Sequence, residues 1–250
     1  DMAIARLGAE SFGILSLAFM VLRVTSWLTS DGLGNSLVRY VPFYHGKGDV
    51  ARLRGVIWLD LILDGSLAVA GGILLFFGAP WLAERIFHQP KLIALIRLAA
   101  IVLPVWNIRA VVLRVLMGMG RNDYYVYANY LCENIVAFFA AVALIAAGWG
   151  IWGAATGYVL GITASMAMAG WLLERKTFPL LQRRQPIRFE TKEFMRYAAP
   201  LWLVGYVDAV HYWADVALLG FLRDARTVGF YSVTLLFASV VTSMHDALLP

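Results

Sequence analysis

The sequence predicts an all-α, polytopic membrane helix bundle, and three observations predict it. Seven apolar stretches of bilayer-crossing length recur along the 250 residues. The chain is 61% hydrophobic with a mean hydropathy of +0.71 and only 15% charged residues, against about 45–50% apolar and about 25% charged in soluble domains. Acidic residues also sit inside the apolar stretches, as Asp60 and Asp64 do within 55–78. A carboxylate in hydrocarbon costs about 3 kcal/mol, so it is expected to face a protein interior or a wet cavity, which points towards transport.

The predicted spans are 14–36, 55–78, 92–118, 125–148, 150–173, 197–221 and 228–250. Each exceeds the roughly 20 residues a crossing needs. The first carries Arg23 near its middle, and the second carries the two aspartates. The third contains Arg97, Arg109 and Arg114, and Pro104 is expected to kink it. Only Trp149-Gly150 links the fourth and fifth, which predicts a tight helical hairpin. Gly153, Ala155, Gly157 and Gly161 give the fifth a face of small residues, the usual means of close helix packing in lipid. Residues 174–196 form the one long polar stretch, with two prolines and alternating charge, and read as a linker.

Orientation follows from Lys and Arg. The connections at 37–54, 119–124 and 174–196 hold twelve basic residues and the other set five, which places the first set in the cytoplasm. Trp58, Trp81, Trp149, Trp152 and Trp171 lie near span ends, as interfacial anchors do. Because the basic residues cluster between spans, the net charge of +5 sets topology rather than marking a nucleic-acid partner. Membrane lipids are the expected neighbours of the basic linker.

Catalytic and metal chemistry find no footing. Cys132 is the only cysteine, His45, His88, His211 and His245 are scattered singly, and no phosphate-loop, nucleophile-elbow or zinc-ligand motif occurs. No cofactor is expected beyond H⁺ or Na⁺ as a coupling ion. The first ten residues lack the apolar core of a signal peptide, and both ends read as cut, so the 250 residues are taken as a fragment of a longer protein.

A shift of 216 residues lays Ala9-Glu10-Ser11-Phe12-Gly13-Ile14-Leu15-Ser16 on Ala225-Arg226-Thr227-Val228-Gly229-Phe230-Tyr231-Ser232. Each copy precedes a span entering from the same side. This predicts a parallel repeat of six helices, with one helix upstream of residue 1, and parallel repeats build a cavity between two halves.

Three runs carry a family resemblance: Leu7-Gly8-Ala9-Glu10 with Gly13, Gly32-Leu33-Gly34-Asn35-Ser36-Leu37-Val38-Arg39-Tyr40, and Gly46-Lys47-Gly48-Asp49. Tyr197-Ala198-Ala199-Pro200-Leu201 through Asp215 to Ser232, and Arg114-Val115-Leu116-Met117-Gly118-Met119-Gly120-Arg121, add to it. The sequence resembles the polysaccharide-biosynthesis (O-antigen translocase) branch of the MATE-like (MOP) flippases over nearly its whole length. The resemblance implies a two-lobed transporter of about 12–14 helices with a central cavity. It assigns 1–178 to a first six-helix lobe lacking its first helix, 179–196 to a cytoplasmic linker and 197–250 to the first two helices of a second lobe. It further implies a polyprenyl-pyrophosphate-linked oligosaccharide as substrate, moved across the cytoplasmic (inner) membrane without enzymatic chemistry, in association with polysaccharide assembly machinery.

Such cargo needs cations in a hydrated cavity, and Arg presents a planar fork suited to phosphate. Arg23 and Arg109 are the first candidates for headgroup contact, with Arg39 and Arg114 nearer the cytoplasmic face; snorkelling or a structural ion pair is the simpler role for these last two. Asp60 and Asp64 share a helix face, as do Asn129 and Glu133, the trio Asp208, His211 and Asp215, and Ser239, Thr242 and Asp246. Asp64, Glu133, Asp208, His211, Asp215 and Asp246 are the cavity or ion-coupling candidates; Asp60, near the cytoplasmic end, is expected to neutralise an Arg. The embedded acids keep a MATE-type multidrug antiporter as the alternative. A polyprenyl-linked glycosyltransferase or polymerase is a further alternative, disfavoured by the short outer loops. A single lobe would leave a polar groove facing lipid, so the 250-residue piece alone is not expected to transport.

Overall fold

The computed structural model describes residues 2–181 and 186–235, with side chains described outside 2–9, 31–33, 205–206 and 208–212. Every regular element among the described residues is helical. α1 (Met2–Ser26) runs through a π-helical turn at Trp27–Asp31 into α2 (Gly32–Gly46). α3 (Val50–Trp81) continues through a second π-turn at Leu82–Ile86, and α4 (Leu92–Gly118) returns. α5 (Asn122–Val126) and α6 (Glu133–Ala146) are joined by a π-turn at Tyr127–Cys132; α7 (Gly150–Leu172) extends through Leu173–Thr177. α8 (Thr191–Leu222) and a last helix α9, at 225–235, complete the described chain.

Among the described residues five helical segments are long and apolar enough to cross a membrane: Glu10–Ser30, Val50–Ile86, Leu92–Gly118, Asn122–Ala146 and Gly150–Thr177. The sixth expected span lies on the single 32-residue helix α8, and most of the seventh, 228–250, lies outside the described residues. Helix extents differ from the apolar runs. The first helix continues well past residue 36, because the polar residues after Ser36 still bury Leu37, Tyr40, Val41 and Tyr44 on one face. Asp49 accepts a hydrogen bond from the Arg52 amide at 3.0 Å and caps α3, with Gly48 at φ +67° closing the turn.

Packing follows the rule for helices in lipid, where small residues let backbones approach. α6 and α7 form the predicted hairpin. A Cβ on Gly157 would stand 2.6 Å from the Ala141 amide nitrogen, and one on Gly161 would stand 2.7 Å from the Glu133 carbonyl. The opposite face of α6 shows Ile135, Phe138 and Phe139 outward, as a lipid-facing helix should. The repeated segments meet one another: a Cβ on Gly13 would fall 1.7 Å from the Ala225 carbonyl and 2.9 Å from the Gly229 nitrogen.

The expected linker overlaps the π-turn at Leu173–Thr177 and the start of α8 at Thr191, and its middle is tied down against α3. Residues 186–190 are extended; the Arg188 amide donates to Ala51 O (3.0 Å) and Arg52 Nε to Glu190 Oε1 (3.0 Å). Arg54, almost fully buried, donates from Nη2 to Leu180 O at 2.7 Å. Of the tryptophans expected at interfaces, Trp81, Trp149, Trp152 and Trp171 are exposed, while Trp58 is half-buried.

Two apolar clusters hold the bundle, one around Leu37, Val41, Leu53, Ile57, Leu116 and Phe194, the other around Leu17, Ala79, Leu92, Ile96, Val216 and Val228. Buried polar side chains from five helices and the first π-turn (Ser26, Ser30, Asp60, Asp64, Asn107, Arg109, Glu133 and Ser165) form a belt. This belt contains the site.

Candidate functional site

The belt has two centres. The first gathers on Trp106, four turns into α4. Arg109 is buried and its Nη1 donates to three acceptors on two helical segments: Glu133 Oε2 and Asn129 Oδ1 (2.9 Å) from the α5–α6 segment, and Ser165 Oγ (3.1 Å) from α7. Its guanidinium carbon lies 4.8 Å from the Trp106 ring centroid. Arg23, from α1, approaches the same indole at 5.4 Å and Trp213 of α8 at 5.9 Å. Tyr158 packs against both Phe19 and Trp106, closing the back of this centre.

The sequence expectation for Arg23 and Arg109 thus meets geometry that separates their roles. Glu133 neutralises Arg109, whereas no carboxylate among the described residues pairs with Arg23, which is exposed between two indoles. Two cations and one anion leave one positive charge, and Arg23 presents it. A cation over aromatic faces is held without being neutralised, so it stays available to an anion.

The second centre lies about three to four turns into α3. Ser30 Oγ, in the π-turn, donates to Asp64 Oδ2 at 2.6 Å, and Arg114 Nη1 stands 4.0 Å from the same oxygen. The Arg114 guanidinium lies so close over Gly34 that a Cβ there would fall 1.9 Å from Nη1. Asp60 is fully buried one turn away and neither carboxylate oxygen has a hydrogen-bond partner. Its expected role as a simple partner for an Arg near the cytoplasmic end is therefore not what the geometry offers: Arg114 sits against Asp64. Between the two centres Ser26 donates to Asn107 Oδ1 (2.8 Å) and Asn107 Nδ2 to Thr29 Oγ1 (2.9 Å), tying α1 to α4.

Of the remaining candidates, Arg39 and Asp215 are described. Arg39, midway along α2, is exposed and stacks 4.4 Å from the Tyr197 ring centroid, outside the belt. Asp215 accepts a hydrogen bond from the Tyr231 hydroxyl of α9. Asp208 and His211 lie on α8, but their side chains are outside the described residues, and Asp246 lies outside them altogether. The sequence reading missed Trp106, Trp213 and Ser165. The available signal for Trp106 was its place in mid-span, three residues from Arg109, where an interfacial anchor has no business.

A helical bundle with a charged belt at membrane depth is transporter geometry, but it leaves the family open. The model of the polysaccharide biosynthesis protein family matches residues 4–246. The chain belongs to that family. Its membership places the chain in the MOP flippase superfamily, whose polysaccharide branch consists generally of membrane transporters rather than enzymes. No curated protein and no solved structure matches the chain. The multi-span membrane architecture and the family agree.

Proposed function

We propose that the chain carries the first lobe and the start of the second lobe of a flippase that moves a polyprenyl-pyrophosphate-linked oligosaccharide across the cytoplasmic membrane by alternating access. One observation carries this reading: Arg23, the uncompensated cation of the belt, stands between Trp106 of α4 and Trp213 of α8. The flat indole faces suit the apolar faces of sugar rings, and the guanidinium suits a phosphate oxygen pair. Ser, Thr and Asn groups along α1 and α4 supply further donors and acceptors for sugar hydroxyls. Residues 1–178 and 197–250 would be the two lobes, with the duplicated motif near their common axis. H⁺ or Na⁺ would be the coupling ion, with Asp60, Asp64 and Asp215 the nearest acids to such a role, and glycan-assembly enzymes would be the partners.

The multidrug-antiporter alternative needs free carboxylates for a cationic substrate. Glu133 is taken by Arg109, Asp64 by Ser30 and Arg114, and Asp215 by Tyr231; Asp60 has no hydrogen-bond partner but is fully buried, out of reach of a large organic cation, which favours the anionic cargo. The test is reconstitution of the full-length protein with a fluorescent undecaprenyl-pyrophosphate sugar, alongside an organic-cation efflux assay. Arg23→Ala should abolish lipid flipping while leaving the fold intact, and Arg23→Lys should restore only part of it. Flipping at the wild-type rate by Arg23→Ala, or cation efflux without lipid movement, would overturn the proposal.

A further inference from the structure

Away from the belt, α3 and α4 cross where Gly72 meets the Ala100 carbonyl, close enough that a Cβ would stand 2.7 Å from it. Outside that crossing the small residues leave a groove of about 240 Å³, lined by Val69, Gly72, Ile73, Phe76, Ile101 and Pro104 among others. The groove opens to the membrane side: Ile73 is 54% and Ile101 64% exposed on two spanning helices. At its mouth stands Arg97, exposed, its guanidinium carbon 5.1 Å from the Phe76 ring centroid, with no carboxylate partner among the described residues.

Depth identifies the occupant. The helices are joined at 87–91, and Arg97 lies five residues into α4 from that end, about 7.5 Å along the axis. Trp81, exposed, lies five residues before Ile86 and so at the same level, where tryptophans mark the headgroup layer. Ile101 and Pro104 lie about 6 and 10 Å deeper, at acyl-chain depth. A cation at phosphate level above an apolar groove at acyl level matches one molecule, a phospholipid with an anionic headgroup. A merely snorkelling Arg would need no groove beneath it. We propose that this α3–α4 face binds an anionic phospholipid of the leaflet on the 87–91 side, its phosphate on Arg97 and one acyl chain in the groove. The site is independent of the transport cavity.

The test places the full-length protein in nanodiscs of equal phosphatidylglycerol and phosphatidylcholine, then extracts it and counts retained lipids by native mass spectrometry. One phosphatidylglycerol per chain should be retained, with a preference of about fivefold, the ratio one Arg near a headgroup supports. Arg97→Gln should remove the headgroup preference, and Arg97→Lys should keep part of it. Ile73→Trp, which fills the groove from an exposed position, should lower retention of both lipids. These exposed positions leave the packed interior untouched, so loss of binding is separable from loss of fold. Unchanged preference in Arg97→Gln, unchanged retention in Ile73→Trp, or displacement of phosphatidylglycerol by undecaprenyl phosphate would overturn the proposal, the last by giving the groove to a polyprenyl chain.

Discussion

Removing the Glu133 carboxylate should reveal how much of the bundle's stability rests on one ion pair. Arg109 is 4% exposed and cannot recruit bulk water when its partner goes. Two unit charges in contact at about 3 Å attract by about 5 kcal/mol at an effective dielectric of about 20. Asn129 and Ser165 continue to accept from Nη1 at 2.9 and 3.1 Å, so part of the guanidinium's solvation survives. Glu133→Gln, which keeps the shape and one acceptor, should therefore cost about 3 kcal/mol, the lower end for breaking a buried pair. Glu133→Ala should cost nearer 5 kcal/mol, since it also opens a cavity. Arg109→Met with Glu133→Leu removes both charges and fills the space, and should lie within about 1 kcal/mol of the wild type. Unfolding of the wild type, Arg109→Met, Glu133→Leu and the double variant in mild detergent, followed by circular dichroism at 222 nm, gives the four corners of a double-mutant cycle. Single variants each within about 0.5 kcal/mol of the wild type, with additive effects in the double variant, would refute the reasoning and make the pair a solvated contact.

Three further outcomes are expected. Gly157→Leu should destabilise the α6–α7 hairpin by about 1–3 kcal/mol, because its Cβ would meet the Ala141 backbone at 2.6–2.7 Å; the same unfolding measurement reads it. Ser30→Ala should cost about 1–3 kcal/mol by withdrawing the 2.6 Å bond to a buried carboxylate, and Ser30→Thr, which keeps the hydroxyl, should cost less. Asp224 accepts from the Thr227 hydroxyl and amide at the start of α9, which holds its carboxyl below the usual carboxylate range. Its contribution is therefore present in full above about pH 4 and is lost as pH falls through the lower folded value. The melting-temperature gap between wild type and Asp224→Ala at pH 6 should close at lower pH, and a gap that persists unchanged to pH 2 would contradict the cap.

The helices were legible because hydrocarbon thickness imposes its length on the chain, and a charge in an apolar run stands out against that background. Arg23 and Arg109 were found in this way. Their difference was not, because it depends on which carboxylate comes within reach, and Glu133 is 24 residues from Arg109. Asn129 and Glu133 were read as a stripe on one helix, but the π-turn at Tyr127–Cys132 and the hairpin bring both onto the Arg109 guanidinium. Trp106 was passed over because tryptophan in a membrane sequence reads first as an anchor. The long extension of the first helix escaped a hydropathy reading for a related reason: α2 is amphipathic and lies against the core outside the crossing segment. The linker's docking depends on backbone acceptors at Ala51 and Leu180, which side-chain patterns do not register.

The contact of Gly13 with Ala225 and Gly229 ties the fates of two distant codons. Gly13 and Gly229 are counterparts 216 residues apart, and each forms part of the other's wall. A methyl group added to Gly13 must displace main chain at 225–229 rather than a pliable side chain, so Gly13 cannot enlarge on its own. Sequence drift at 225–229 that moves this main chain therefore demands a matching adjustment around Gly13.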